Sequence, residues 1–146
     1  MQYAQGDNIL TRMQIKPQFV KLSSYEDSET TGRVKGAEVL ETMDLAGKNI
    51  LIVEDMIDTG TTMKTVLEKI QSLYEPKSLR VAVAFHKMTP KNVEWGYFAD
   101  YTGFLVPCEF FCGYGMDFNG HLRDLPHLCV LNELGKTSFT KAALAL

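Results

Sequence analysis

Residues 50–62 read Ile-Leu-Ile-Val-Glu-Asp-Met-Ile-Asp-Thr-Gly-Thr-Thr and combine an apolar run, three carboxylates and a loop of small residues. Residues 50–53 form the apolar run, which is typical of a strand buried on both faces of a parallel sheet. Glu54 and Asp55 follow the run, and Asp58 opens the loop. An amphipathic helix pattern begins directly after the loop. The sequence therefore predicts a strand, an acidic turn, a loop and a helix in immediate succession.

The loop after the apolar run has the residue types of an anion-binding site. Its members are Asp58, Thr59, Gly60, Thr61 and Thr62. Unpaired N–H groups and the positive dipole end at a helix N-terminus attract phosphate, and threonine hydroxyls add donors. Glu54 and Asp55 would repel a phosphate, so we expect them to face sugar hydroxyls or a hard cation. Helix capping explains one Thr or Asp in such a loop, but not three carboxylates at the C-terminal edge of a strand.

An apolar strand, then Glu-Asp, then Asp-Thr-Gly-x-Thr closely resembles the 5-phosphoribosyl-1-pyrophosphate (PRPP) motif of the type I phosphoribosyltransferases. The resemblance implies that residues 58–62 bind the 5-phosphate of PRPP. It also implies that Glu54 and Asp55 bind the ribose hydroxyls and help to order the magnesium-bound substrate. The expected fold is α/β, with a mostly parallel sheet and flanking helices, in a single domain covering residues 1–146.

Two later segments contain further candidate residues. Lys87 comes two residues after the end of the apolar run of residues 81–85, and we expect it at the same sheet edge as Glu54 and Asp55 if the two strands are parallel neighbours. A lysine there can donate to a carbonyl or phosphate oxygen. Standing alone, it would be interpreted as a solvated lysine at a strand end. Phe110 and Phe111 lie in a loop that also contains glycines. An aromatic ring there can stack on a heterocycle, although composition alone favours a core cluster.

Asp117 and Arg123 by themselves indicate a surface ion pair of little energetic weight. The order and spacing of all these residues are similar to those of the hypoxanthine-guanine phosphoribosyltransferases, from about residue 19 to about residue 136. This resemblance implies that Asp117, near the purine edge, is linked to magnesium and that Arg123 contacts pyrophosphate. Ser24 and Tyr25 match the Ser-Tyr pair of the flexible loop that closes over the site in this family.

The same resemblance implies which residues bind the purine. Lys87 would bond its exocyclic oxygen, Phe110 would stack on it, and the backbone of Phe111 would contact its edge. Asp58 would be catalytic, because it would exchange a proton with the ring nitrogen remote from the attacking one. A positioned acid/base of this kind typically contributes about 10²–10⁴-fold. The implied reaction is purine salvage: hypoxanthine or guanine and PRPP give IMP or GMP and pyrophosphate, with Mg²⁺ as cofactor.

Two other functions stay open on the sequence. One is a catalytically impaired nucleotide-binding derivative that acts as a regulatory or structural subunit. It is favoured because the family's N-terminal strand and its Leu-Lys-Gly-like pyrophosphate loop have no match in this chain. We expect that strand to be the missing central strand of the sheet. The other is an adenine or orotate phosphoribosyltransferase, but Lys87 argues against adenine, whose exocyclic group is a donor.

The composition argues against several other classes. The net charge of -3 and the lack of a basic run argue against nucleic-acid binding. No apolar stretch reaches membrane-spanning length, and residues 1–10 lack a signal pattern. Cys108, Cys112 and Cys129 are interpreted as reduced thiols. The spacing of Cys108 and Cys112 would allow a zinc site with a histidine, but their apolar surroundings favour small buried hydrophobes. We expect a cytoplasmic homo-oligomer, a dimer or a tetramer, without a nucleic-acid or membrane partner.

The remaining patterns predict where the elements lie. We expect strands at residues 19–22, 48–53, 81–85, 101–106 and 128–131, a helix at residues 62–74, a mobile surface loop at residues 23–36, and a turn at Thr89-Pro90. Strands separated by a helix and by crossover segments indicate one largely parallel sheet.

Overall fold

The computed structural model describes residues 15–24 and 34–139. Contacts within the chain group these residues into two compact units. The first unit contains residues 15–24, 34–47 and 61–76, and the second contains residues 48–60 and 77–139. Within the described ranges, no helix has both the length and the apolar character needed to cross a membrane.

The first unit combines a short antiparallel strand pair with a 13-residue helix. Its elements are β1 (Ser23–Ser24), β2 (Val34–Lys35), a 3₁₀ helix (Ala37–Thr42) and α1 (Thr61–Leu73). The helix α1 buries Met63, Val66 and Ile70, so the helix predicted from the apolar periodicity is confirmed. Tyr74 donates its hydroxyl hydrogen to the carbonyl oxygen of Leu40 at 2.7 Å, which ties the end of α1 to the 3₁₀ helix.

One expectation for the first unit is wrong, and a second is corrected only at its ends. Residues 19–22 do not form a strand, because the pairing begins at Ser23. The predicted surface loop of residues 23–36 contains β1 and β2 at its two ends, and residues 25–33 lie outside the described residues. A strand of two residues is too short to show the alternation by which strands are recognised in sequence.

The second unit is built on a parallel sheet of three strands. These are β3 (Asn49–Ile57), β4 (Ser78–Lys87) and β5 (Tyr101–Val106), in the order β3-β4-β5. The register places Glu54 opposite Val83 and Ile57 opposite His86. β3 and β4 are longer than the apolar runs that predicted them, because pairing continues into the polar residues at their ends. The expected α/β class with a parallel sheet is confirmed, and the chain between β3 and β4 includes α1.

Burial differs between the strands of this sheet. Val81 and Val83 of β4 are buried, whereas Leu51 and Val53 of β3 are 55% and 72% exposed. Alternate residues of a strand share one face, so Leu51 and Val53 mark a face that is open to solvent. The prediction that residues 50–53 are buried on both faces is therefore wrong for the described chain, in which β3 pairs with β4 alone.

The rest of the second unit is made of short elements. They are α2 (Pro90–Trp95), β6 (Phe111–Cys112), β7 (Cys129–Val130) and α3 (Glu133–Ser138). The strand predicted near residue 130 exists, but it pairs antiparallel with β6 and does not join the parallel sheet, so that part of the topology is corrected. The three cysteines are free thiols. Burial raises the pKa of the Cys112 thiol, whereas Cys108 is exposed, contrary to the expectation of a buried side chain.

Candidate active site

The acidic and small residues that follow the apolar run lie in consecutive positions of a strand, a bend and a helix. Glu54 and Asp55 belong to β3, Asp58 begins the bend of residues 58–60, and Thr61 is the first residue of α1. The carboxylates Glu54 and Asp55 thus lie within the strand rather than in a turn beyond it. The predicted order of strand, loop and helix is confirmed.

Glu54 and Asp55 repel each other. Burial raises the pKa of Glu54 above its ordinary value of 4.5, and the negative charge of Asp55 raises it further. A divalent cation would relieve this repulsion, and carboxylate oxygens are ligands that Mg²⁺ accepts. In the described ranges, no group of three or more His, Cys, Asp or Glu side chains is arranged to hold a metal ion. Because successive strand residues point to opposite faces, each carboxylate could supply a single set of oxygen ligands to a cation that takes its remaining ligands from substrate and water.

Lys87 forms an ion pair with Asp58 at the end of the parallel sheet. Lys87 is the last residue of β4, Asp58 comes directly after β3, and the two strands are parallel neighbours. Lys87 Nζ lies 2.9 Å from Asp58 Oδ1. The Lys87 side chain is 7% exposed, whereas that of Asp58 is 58% exposed. Lys87 was expected at the same sheet edge as Glu54 and Asp55, but the register places Glu54 opposite Val83, four residues before Lys87. Lys87 lies beside Asp58 instead.

Two aromatic rings lie next to the Lys87 ammonium. Its Nζ is 6.0 Å from the ring centroid of Phe110 and 5.8 Å from that of Phe111. Phe110 packs edge-on against Phe118, with 5.1 Å between the ring centroids, and is 40% exposed. A buried ammonium beside an accessible ring can bind a flat heterocycle that presents a hydrogen-bond acceptor. The structure therefore brings together Asp58, Lys87, Phe110 and Phe111.

Asp117 and Arg123 form the expected ion pair, with 2.6 Å between Asp117 Oδ1 and Arg123 Nη2. Asp117 Oδ2 also accepts a hydrogen bond from the N–H of Gly120, and Arg123 Nη1 donates to the carbonyl oxygen of Gly115. Both carboxylate oxygens of Asp117 are thus engaged within this loop. Asp117 retains lone pairs and Arg123 retains N–H donors beyond those used within the loop, so a metal or an anion could still bind them.

The other predicted residues are divided between the two units. Ser24 lies in β1, and Thr61 and Thr62 begin α1, all in the first unit. Tyr25 lies outside the described residues. Thr59 and Gly60 belong to the second unit, directly after Asp58.

The family model described as the phosphoribosyl transferase domain matches residues 6–118. The chain belongs to the phosphoribosyl transferase domain family. Among curated proteins, it is 46% identical over 123 residues to the hypoxanthine-guanine phosphoribosyltransferase of Homo sapiens, with 83% of this chain and 54% of that protein covered. The enzyme of Bos taurus is 45% identical with the same coverage. The chain thus spans about half the length of the curated relatives it matches.

Solved structures agree with this family assignment. A hypoxanthine-guanine phosphoribosyltransferase from Schistosoma mansoni in complex with IMP matches with a TM-score of 0.55 and 42% identity, covering 64% of this chain and 46% of that one. A hypoxanthine-guanine-xanthine phosphoribosyltransferase matches with a TM-score of 0.58 and 36% identity, covering 67% of this chain and 57% of that one. This phosphoribosyl transferase chain therefore has the α/β type I fold.

Two residues that contact the backbone of this cluster were missed by the sequence analysis. Asn92 and Thr89 both donate hydrogen bonds to the carbonyl oxygen of Asp58. Thr89-Pro90 was expected to be a turn, but Thr89 is the N-cap of α2 and Pro90 is its first residue. A threonine followed by proline at the first helical position is a recognised helix-start signal, and it could have predicted α2.

Gly60 allows the loop of this phosphoribosyl transferase chain to pack closely on α2. Its φ of +77° lies in the left-handed region that favours glycine. A Cβ atom at Gly60 would overlap Asn92 Oδ1 and would lie 2.7 Å from Cε3 of Trp95. The glycine of the PRPP motif is therefore required here for both its backbone conformation and its small size.

Proposed function

We propose that this chain is a purine-salvage phosphoribosyltransferase, which converts hypoxanthine or guanine and PRPP to IMP or GMP and pyrophosphate. The observation that carries the proposal is the ion pair between buried Lys87 and exposed Asp58, the first residue of the phosphate loop, beside the rings of Phe110 and Phe111. Relatives named hypoxanthine-guanine phosphoribosyltransferase support this choice of substrates.

Lys87 would select the base. An ammonium group has three donors and no acceptor, so it favours a purine with a carbonyl oxygen over adenine, whose exocyclic amine is a donor. Hypoxanthine and guanine both present such an oxygen. Phe110 would stack on the ring, and the backbone of Phe111 would contact its edge. The same donor preference disfavours an adenine-specific enzyme.

Asp58 would act as the acid/base of the reaction. One purine ring nitrogen attacks C1 of the ribose, the bond from C1 to the pyrophosphate oxygen breaks, and pyrophosphate leaves with the bonding electrons. The proton on the other imidazole nitrogen of the purine passes to the Asp58 carboxylate. The exposure of this carboxylate supports the role, because a ligand can reach it without unfolding the site.

The remaining residues would hold PRPP. The loop of Asp58, Thr59, Gly60, Thr61 and Thr62 would bind the 5-phosphate through N–H groups and hydroxyls. Glu54 and Asp55 would bind the ribose hydroxyls and Mg²⁺. When bound, Mg²⁺ neutralises charge on the leaving pyrophosphate. Arg123 would contact pyrophosphate, and Asp117 would join the metal site.

Assembly, location and domain structure are part of the proposal. We propose a cytoplasmic dimer or tetramer of a single-domain chain whose partners are PRPP and the purine. Free thiols at the three cysteines support a reducing compartment. Sedimentation of the purified chain tests the oligomer. A single cooperative unfolding transition tests the single domain.

The test of function uses the purified full chain with PRPP, Mg²⁺ and one base at a time. We expect nucleotide to form with hypoxanthine and guanine and not with adenine or orotate. Calorimetry with GMP runs in parallel. Binding of GMP without any turnover would identify a nucleotide-binding derivative instead of an enzyme. Failure to bind GMP or PRPP at all would refute the proposal.

A further inference from the structure

Asn92 forms hydrogen bonds with the backbones of Asp58 and Lys87, the two residues whose side chains would contact the purine. Its Nδ2 donates one hydrogen bond to the carbonyl oxygen of Asp58 and a second to that of Lys87, at 2.8 Å for the latter. Asn92 lies in α2 and is 3% exposed. One amide group therefore holds the chain just after β3 to the last residue of β4.

The orientation of this amide follows from its neighbours. Two carbonyl oxygens can only accept, so the NH₂ group of Asn92 must face them. Its Oδ1 then lies against Gly60 and has no hydrogen-bond partner in the described part of the chain. A buried polar atom without a partner destabilises a fold. The Asn92 amide thus donates hydrogen bonds to the carbonyl oxygens of Asp58 and Lys87 at the cost of a buried oxygen atom that has no partner in the described part of the chain.

Thr89 fixes the same arrangement from the N-terminus of α2. Its hydroxyl accepts a hydrogen bond from the backbone N–H of Asn92 and donates one to the carbonyl oxygen of Asp58, both at 3.2 Å. The Asp58 carbonyl therefore accepts from two side chains of one short segment. α2 also forms its own backbone bonds, from Val93 to Thr89 and from Gly96 to Asn92, so its position relative to Asp58 is carried by a closed helical turn that the Thr89 hydroxyl caps.

We propose that Asn92 is a positioning residue for phosphoribosyl transfer, which keeps the side chains of Asp58 and Lys87 in register at the purine site. This inference rests on the proposed function, in which those two side chains contact the base. The distance of 2.9 Å between Lys87 Nζ and Asp58 Oδ1 reflects this relative placement of the two backbones. A misplacement of catalytic groups by about 1 Å can lower a rate by about 10²-fold.

The test compares Asn92→Ala and Asn92→Ser in the full chain with carbon-13-labelled lysine. The Lys87 ε-methylene lies near the rings of Phe110 and Phe111, so ring currents separate its signal from those of solvated lysines. We expect Asn92→Ala to move this signal toward the solvated lysines. Asn92→Ser, which keeps one donor, should cause a smaller shift. In the transferase assay, kcat should fall about 10²-fold in Asn92→Ala, and more than the KM for PRPP changes.

The matched control is Asn49→Ala, which removes an exposed asparagine that accepts one hydrogen bond from Ser78 at the start of β3. It should leave both the Lys87 signal and kcat unchanged. An unshifted Lys87 signal in folded Asn92→Ala or Asn92→Ser, or an equal effect of Asn49→Ala, would overturn the inference. The Lys87 signal can be measured whether or not the chain has transferase activity. If the signal shifts as expected and the unaltered chain binds neither GMP nor PRPP, the proposed function fails while the register set by Asn92 stands.

Discussion

Lys87 Nζ lies 2.9 Å from Asp58 Oδ1, and the burial of the two side chains is unequal: Lys87 is 7% exposed and Asp58 is 58% exposed. The charged state of an ammonium group that is shielded from water depends strongly on its ion-pair partner, whereas an exposed carboxylate is also stabilised by water. The pair therefore combines a solvent-accessible carboxylate with an ammonium that is largely shielded from water.

Replacing Lys87 by alanine should weaken purine nucleotide binding and leave PRPP binding nearly unchanged. The lost charge-assisted hydrogen bond to the base is worth about 1.5–3 kcal/mol. Calorimetry with GMP and with PRPP measures the two affinities separately. Lys64→Ala, which removes an exposed lysine of α1, is the control. Equal losses for both ligands would contradict the role in base binding.

Replacing Asp58 by asparagine should abolish most turnover without unfolding the chain. The amide oxygen can still accept a hydrogen bond from Lys87, so the buried ammonium keeps a partner, but the amide cannot take a proton. We expect kcat to fall about 10²–10⁴-fold, with a melting temperature close to that of the unaltered chain. Asp124→Asn, at an exposed position outside the cluster, should retain activity. Near-normal turnover in Asp58→Asn would remove Asp58 from the mechanism.

Glu54→Gln should stabilise the fold at neutral pH while weakening PRPP binding. Because burial and Asp55 raise the pKa of Glu54 from 4.5, the folded state holds this proton more tightly than the unfolded chain. The stabilisation is complete below the unfolded value and is lost as pH rises through the raised pKa. Glutamine does not titrate, so the variant does not lose this stability as the pH rises. Its free energy of unfolding should therefore match that of the unaltered chain in acid and exceed it at neutral pH.

Urea denaturation at a series of pH values measures this difference. Glu68→Gln, an exposed substitution on α1, serves as the control and should show no such trend. A Glu54→Gln variant that is less stable than the unaltered chain at neutral pH would show that the carboxylate is favourable in the fold.

Gly60→Ala should destabilise the chain more than Gly96→Ala or Gly47→Ala. All three glycines have positive φ, of +77°, +65° and +67°, so alanine introduces similar backbone strain of about 1–2 kcal/mol at each. Only at Gly60 would the new Cβ also overlap Asn92 and the Trp95 ring, since nothing lies within 4 Å at the other two positions. Thermal unfolding of the three variants separates steric overlap from backbone strain. Equal losses would mean that the loop can move away from α2.

The PRPP motif, the helix α1 and the strand β5 could be predicted from local sequence patterns. The helical periodicity of Met63, Val66 and Ile70 predicted the buried face of α1, and the predicted strand at residues 101–106 has the bounds of β5. Such features depend on residues a few positions apart, and side-chain spacing within one element is fixed by helix or strand geometry. The sequence also placed Asp58 directly before the loop and α1, whereas Glu54 and Asp55, expected in a turn, lie within β3. The family membership of the chain supports the resemblance on which the site prediction relied.

Only the tertiary structure decided which residues meet across the chain. No local period indicates that Lys87 pairs with Asp58, that Asn92 binds both of their carbonyl groups, or that β7 pairs antiparallel with β6. Asn92 and Asp58 are 34 positions apart in sequence. Contacts at such separation depend on strand register and on the path of the connecting segments. The sequence alone therefore predicted the chemical groups of the site, while the packing of α2 against the ends of β3 and β4 determined their arrangement.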